Sequence, residues 1–196
     1  MDMEVKETAE SYRRAEIYTY ADYASWDDGE RWELIDGVAY LMAPGPSEPH
    51  QGVSSGLVAQ LSNFLHGKPC KLRFAPFDVR LSADGADDTV LQPDIMVICD
   101  SSKIVYSGCV GAPDLVIEIL SPGSAKHDMI RKFQAYKKAG VAEYWVINPE
   151  TRTLQTHILN AGEYLTRVYA DTDEVPVHVL KGCNILLQDV FAEIVE

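Results

Sequence analysis

Apolar residues along the chain predict alternating strands and helices, followed by a run of strands. Between residues 50 and 66, Val53, Leu57, Leu61, Phe64 and Leu65 recur at helical spacing, and Gly67-Lys68-Pro69 ends the run. The segments 95–99 and 115–120 are almost continuously apolar, the pattern of strands covered on both faces. Ser121-Pro122-Gly123-Ser124 introduces a second helix to Ala139. Ser121 or Ser124 is placed to cap it, and Gly140 lies where a left-handed C-terminal residue is wanted. Residues 143–147 form another buried strand. Weaker signals predict a short helix over 20–26 and a hairpin over 33–42 about Asp36-Gly37. They also give one extended run over 72–81 and a loop or edge insertion over 100–113. A β-rich tail follows at 153–159, 164–169 and 175–180. No repeat or linker divides the chain, so the expectation is one mixed α/β domain over 17–196 behind a flexible leader at 1–16.

Composition narrows the class. Of 196 residues, 46% are hydrophobic and 24% charged, the balance of a chain that folds rather than one that stays disordered. Seventeen Lys and Arg against 30 Asp and Glu leave a net charge of -13, which excludes a broad basic surface coating nucleic acid. It leaves room for a local basic groove and for carboxylates that bind a divalent metal. Cys70, Cys99, Cys109 and Cys183 show neither a CxxC pair nor zinc-like spacing and read as free, reduced thiols. No apolar stretch is long enough to cross a membrane, and the charged N-terminus lacks a signal-peptide core, so a cytoplasmic location is expected.

Two carboxylates interrupt the buried strands. Pro93-Asp94 opens one, and Glu118 stands among the aliphatic residues of another. Taken alone, Glu118 suits an ion pair with a Lys or Arg, and Asp94 a turn after Pro93; a buried carboxylate needs a partner or a metal. Taken together, they lie 24 residues apart on consecutive core strands joined by a short connection. Converging at one sheet edge, they make an oxygen-lined site for Mg²⁺ or Mn²⁺. On a helical wheel Lys132 falls between Ala139 and Tyr136, at the margin of the inward face, whereas Arg131 and Lys138 point to the polar side. The alternative for Lys132 is an exposed pair with Asp128, four residues earlier. Asp36 is explained by its turn, Asp114 by a strand start, and Tyr144-Trp145 by packing. His66, His127, His157 and His178 lack ligand spacing.

The order of these motifs resembles a family. Glu33-Leu-Ile-Asp-Gly37, Gln92-Pro-Asp-Ile95 and Pro113-Asp-Leu-Val-Ile-Glu-Ile-Leu-Ser-Pro122 come first. Asp128, Lys132, Tyr136, Ala139-Gly-Val141 and Glu143-Tyr-Trp-Val-Ile-Asn-Pro149 follow. From about Tyr18 onward the chain is similar to the Uma-two family of bacterial proteins, placed among the restriction endonucleases in the PD-(D/E)xK nuclease superfamily. The resemblance implies a restriction-endonuclease-like mixed β-sheet flanked by helices, here with a β-rich C-terminal extension, and metal-dependent cleavage of DNA. Asp94 matches the Asp of the PD element and Glu118 the second acid. The superfamily usually carries Lys two residues after that acid. This chain has Leu120 there, and Lys132 on the following helix is the candidate replacement. Glu33 matches an acid that members contribute from the first core helix or the next strand; by itself it also suits a surface strand start. His50 lies near where members often carry a His, but in this context reads as a cap or surface residue. A homodimer is expected, since such nucleases pair to engage two strands and two-fold dimers are the commonest closed assembly. The alternative is a catalytically inactive nuclease-fold binding or assembly module, favoured by the acidic charge and by Leu120.

Overall fold

Segment 115–119 forms a strand because both of its faces are covered: all five residues are buried. The computed structural model describes residues 17–42, 45–81, 87–121 and 126–195, the side chains of 126–128 excepted. The expected leader at 1–16, the Ser124 cap and the side chains of Asp128 and His127 lie outside these residues. In chain order the elements are α1 (Tyr20–Tyr23), β1 (Trp32–Ile35), β2 (Val38–Leu41), α2 (Glu48–Leu65), β3 (Lys71–Phe74) and β4 (Val79–Arg80). Next come β5 (Val90–Leu91), β6 (Ile95–Ile98), β7 (Ile104–Val105), β8 (Gly108–Val110), β9 (Leu115–Ile119) and α3 (Lys126–Ala139). The last are β10 (Glu143–Asn148), β11 (Thr153–Asn160), β12 (Glu163–Tyr169), β13 (Glu174–Pro176), β14 (Asn184–Leu186) and α4 (Leu187–Ala192).

The main sheet has the order β12-β11-β10-β9-β6-β3. Only β9 and β10 run parallel to each other in it, and α3 supplies the crossover that parallel neighbours need. Alternation along its strands sends side chains to two separate cores. Ile95, Val97, Leu115, Ile117, Ile119, Trp145 and Ile147 face Val53, Leu57, Leu61 and Leu65 of α2, with Val190 and Phe191 of α4 behind them. Met96, Ile98, Val116, Tyr144 and Val146 face the other way, toward Tyr136 of α3 and Ile35, Val79 and Leu91 of a second sheet. That second sheet has the order β2-β1-β5-β4-β8-β7, and β13 pairs with β14 alone.

Two glycines inside α2 explain how closely α4 docks. A Cβ at Gly52 would lie 2.7 Å from the Glu193 carbonyl oxygen, and one at Gly56 2.8 Å from Val190 Cα. Each glycine weakens an isolated helix by ~1 kcal/mol, which the close contact offsets. Gly140 has φ +81, the left-handed residue expected after α3.

Three expectations need correction. The extended run expected over 72–81 is two strands, β3 and β4, in different sheets; Pro76 between them lacks the N–H that a continuous ladder needs. The strand expected over 175–180 is confined to Glu174–Pro176, with a proline again at its end. Cys70 and Cys99, expected as free thiols, form a disulfide. The register that sets Lys71 opposite Ile98 brings the next residues, Cys70 and Cys99, opposite each other. Cys109 and Cys183 are free and buried. Among the described residues no helix is long and apolar enough to cross a membrane.

Candidate active site

The chain leaves the second sheet at Leu91 and enters the main sheet at Ile95, so Gln92-Pro93-Asp94 forms the crossing between them. The antiparallel register of β6 and β9 pairs Ile95 with Ile117. Continued by one residue, it sets Asp94 opposite Glu118, on the face toward α3. The backbone N–H of Ile119 donates to Asp94 Oδ2 at 2.7 Å, fixing the carboxylate against that strand. Glu33, in the middle of β1, approaches from the second sheet. Its Oε1 accepts the Gln92 backbone N–H at 2.9 Å.

Helix α3 closes the site. Lys132 and Tyr136 are four residues apart and therefore share the buried face of the helix. Lys132 Nζ lies 3.0 Å from Glu33 Oε1 and 3.3 Å from both Glu118 oxygens. The Tyr136 hydroxyl donates to Glu118 Oε1 at 2.6 Å. Lys132, the cation expected at the margin of the inward face, is thus an interior residue, only 8% exposed. Lys138 on the opposite face is exposed and meets Asp36 at 3.0 Å. Leu120 donates its backbone N–H to the Ile147 carbonyl at 2.8 Å, and its side chain packs against the core on the α3 side of the sheet.

Burial dominates the electrostatics. The Glu118 carboxyl is raised to about 8 in all: burial pushes it up most, the charge of Lys132 pulls it down, and those of Asp94 and Glu33 push it up. The Tyr136 hydrogen bond favours the ionised form. Burial and the neighbouring carboxylates likewise drive the Tyr136 phenol well above its ordinary range. Two carboxylates, Glu33 and Glu118, thus meet one ammonium, with Asp94 beside Glu118. Asp94 and Glu118 offer the hard oxygen donors that suit a divalent cation, with an excess of negative charge to match. Among the described residues no three His, Cys, Asp or Glu side chains already stand as a metal cage; Lys132 bridges Glu33 and Glu118 instead.

A model of the family described as "Putative restriction endonuclease", Uma2, matches residues 20–188. The chain belongs to the Uma2 family. The match takes in β1, the Gln92-Pro93-Asp94 crossing, β9 and α3, and so all four candidate residues, Glu33, Asp94, Glu118 and Lys132. A crystal structure titled a "putative nuclease belonging to DUF820", from Anabaena variabilis, superposes with a TM-score of 0.74. It is 20% identical, with 91% of this chain and 99% of that chain covered, and shares the fold. An uncharacterized protein of Synechocystis is 29% identical over 117 residues. That match spans 59% of this chain and 60% of the relative's own length.

Two features of the Uma2 site escaped the sequence. Tyr136 was legible as an inward residue but not as the donor to Glu118. His50, expected as a cap or surface group, is buried, with Nε2 3.1 Å from Asp94 Oδ1. Its spacing from Val53 and Leu57 was the available signal, since it continues their apolar stripe.

Proposed function

We propose that this Uma2 chain is a Mg²⁺- or Mn²⁺-dependent endonuclease that hydrolyses DNA phosphodiester bonds. The observation that carries the proposal is the convergence of Asp94 and Glu118 at one strand end, with the Lys132 ammonium 3.3 Å from Glu118. Asp94 and Glu118 hold the metal, and Glu33 assists from the second sheet. When bound, such an ion lowers the pKa of a water and offsets charge on the phosphodiester. Lys132 orients the attacking water or stabilises the negative charge that develops on the phosphate oxygens. Tyr136 keeps Glu118 in place and favours its ionised form. With a chain this acidic, Lys132 would be the side chain that supplies positive charge beside the scissile phosphate.

The test is a cleavage assay on plasmid and single-stranded DNA with Mg²⁺ or Mn²⁺, using Asp94→Ala as control. Metal-dependent cleavage lost in the variant is expected; equal cleavage by both proteins, or none by either, overturns the proposal. We further propose that residues 17–196 fold as one domain and that the protein works as a two-fold dimer in the cytoplasm. Strand β12, the end of the main sheet, exposes Leu165 and Val168, which supports a second copy pairing there. Light scattering that gives 21.8 kDa, the mass of one chain, refutes the dimer.

A further inference from the structure

We infer that His50 is a positioning residue for Asp94, holding that carboxylate in a single orientation for the metal; the inference rests on the metal-dependent reading above. Asp94 sits at a strand end, where its backbone carbonyl accepts from the Ala75 N–H at 3.0 Å, and its two carboxylate oxygens are held from different layers. Oδ2 accepts from the Ile119 backbone at 2.7 Å. Oδ1 lies 3.1 Å from His50 Nε2, which reaches it from the first turn of α2 on the far side of the sheet. With both oxygens engaged the carboxylate plane is fixed, and the remaining lone pairs point in set directions.

His50 is 8% exposed, and among the described residues its buried Nδ1 has no hydrogen-bond partner. Nε2 is the ring atom turned to Asp94 Oδ1, at 3.1 Å; as the donor to that carboxylate it is not free to ligate a cation. The helix start that carries the ring is itself anchored. Glu48 Oε1 accepts from the Val195 N–H at 3.0 Å, and Gly52 lies against the Glu193 carbonyl with no room for a side chain. The C-terminal segment thereby braces the first turn of α2, and α2 braces Asp94.

Hydrogen-bond partners of metal-binding carboxylates are typically worth 10–100-fold in metal affinity. Calorimetric titration of the full chain with Mn²⁺ tests this, comparing wild type with His50→Ala, His50→Gln and Asp94→Asn, with circular dichroism as the check on folding. His50→Ala is expected to bind Mn²⁺ 10–100-fold more weakly, and His50→Gln, whose amide keeps a donor, to recover part of the loss. Should His50→Ala fail to fold, the His50→Gln titration and ¹⁵N spectra of the wild-type ring decide. The spectra are expected to show the proton on Nε2 both without metal and with Mg²⁺ bound. Unchanged Mn²⁺ affinity in folded His50→Ala overturns the inference and leaves the metal reading intact. Loss of the Nε2 proton on adding Mg²⁺ also overturns it, making His50 a ligand. Wild type that binds no Mn²⁺ overturns the metal reading itself, and this inference with it.

Discussion

Replacing Glu118 by Gln keeps the shape of the side chain and an oxygen for the Tyr136 hydroxyl, but removes the proton equilibrium. In the folded chain that carboxyl is pushed from an ordinary 4.5 to about 8, mainly by burial. The folded state therefore holds the proton more tightly than the unfolded state. The stability linked to it is complete below about pH 4.5 and is lost as pH rises through about 8. At ~1.4 kcal/mol per pH unit, the wild type loses roughly 5 kcal/mol across that window. Glu118→Gln lacks this loss, so its stability relative to wild type should climb by a similar amount between those pH values and then level off. Guanidinium unfolding of both proteins at half-unit intervals from pH 5 to 9, without divalent metal, measures it; titrations common to both cancel in the difference. A difference flat in pH, or one that shrinks as pH rises, refutes the burial of this carboxylate. Adding Mn²⁺ should narrow the gap, because a ligand bound only by the folded wild type stabilises it by mass action.

Lys132→Met should abolish metal-dependent cleavage while Mn²⁺ binding persists in calorimetry. Without metal above pH 8 it should destabilise by about 3–5 kcal/mol, since two buried carboxylates lose their counter-charge. Tyr136→Phe removes a hydroxyl 2.6 Å from Glu118 and should cost about 1–3 kcal/mol in urea unfolding, more above pH 8 than below. Gly56→Ala should lower the thermal midpoint although alanine is the better helix former, because its Cβ would lie 2.8 Å from Val190 Cα; the expected loss is about 1–3 kcal/mol, and a rise would contradict the close α2–α4 contact.

Local pattern was enough for the elements that carry most apolar residues. Helix α2, strands β6, β9 and β10, and the Asp36-Gly37 hairpin lie close to where periodicity and turn residues set them. The interruption of buried strands by Asp94 and Glu118 marked the candidate site, since a carboxylate among aliphatic residues needs a reason to be there. The position of Lys132 on its helix followed from the angle between successive residues alone. The two-residue strands β4, β5 and β7 carry too few residues for a period to register, and they form only because the second sheet recruits them.

By itself the sequence determined α2, β6, β9 and β10, the acid pair and the inward side of α3, because each depends on neighbours a few residues away. The tertiary structure alone decided what meets at the crossing from one sheet to the other. Strand register set Asp94 opposite Glu118 and Cys70 opposite Cys99. Docking of three layers brought Glu33 from β1, Lys132 and Tyr136 from α3, and His50 from α2 to within hydrogen-bonding distance of those two acids or of one another. Register and layer packing are fixed by the summed burial of two cores drawn from the whole chain, and no window of sequence contains that sum.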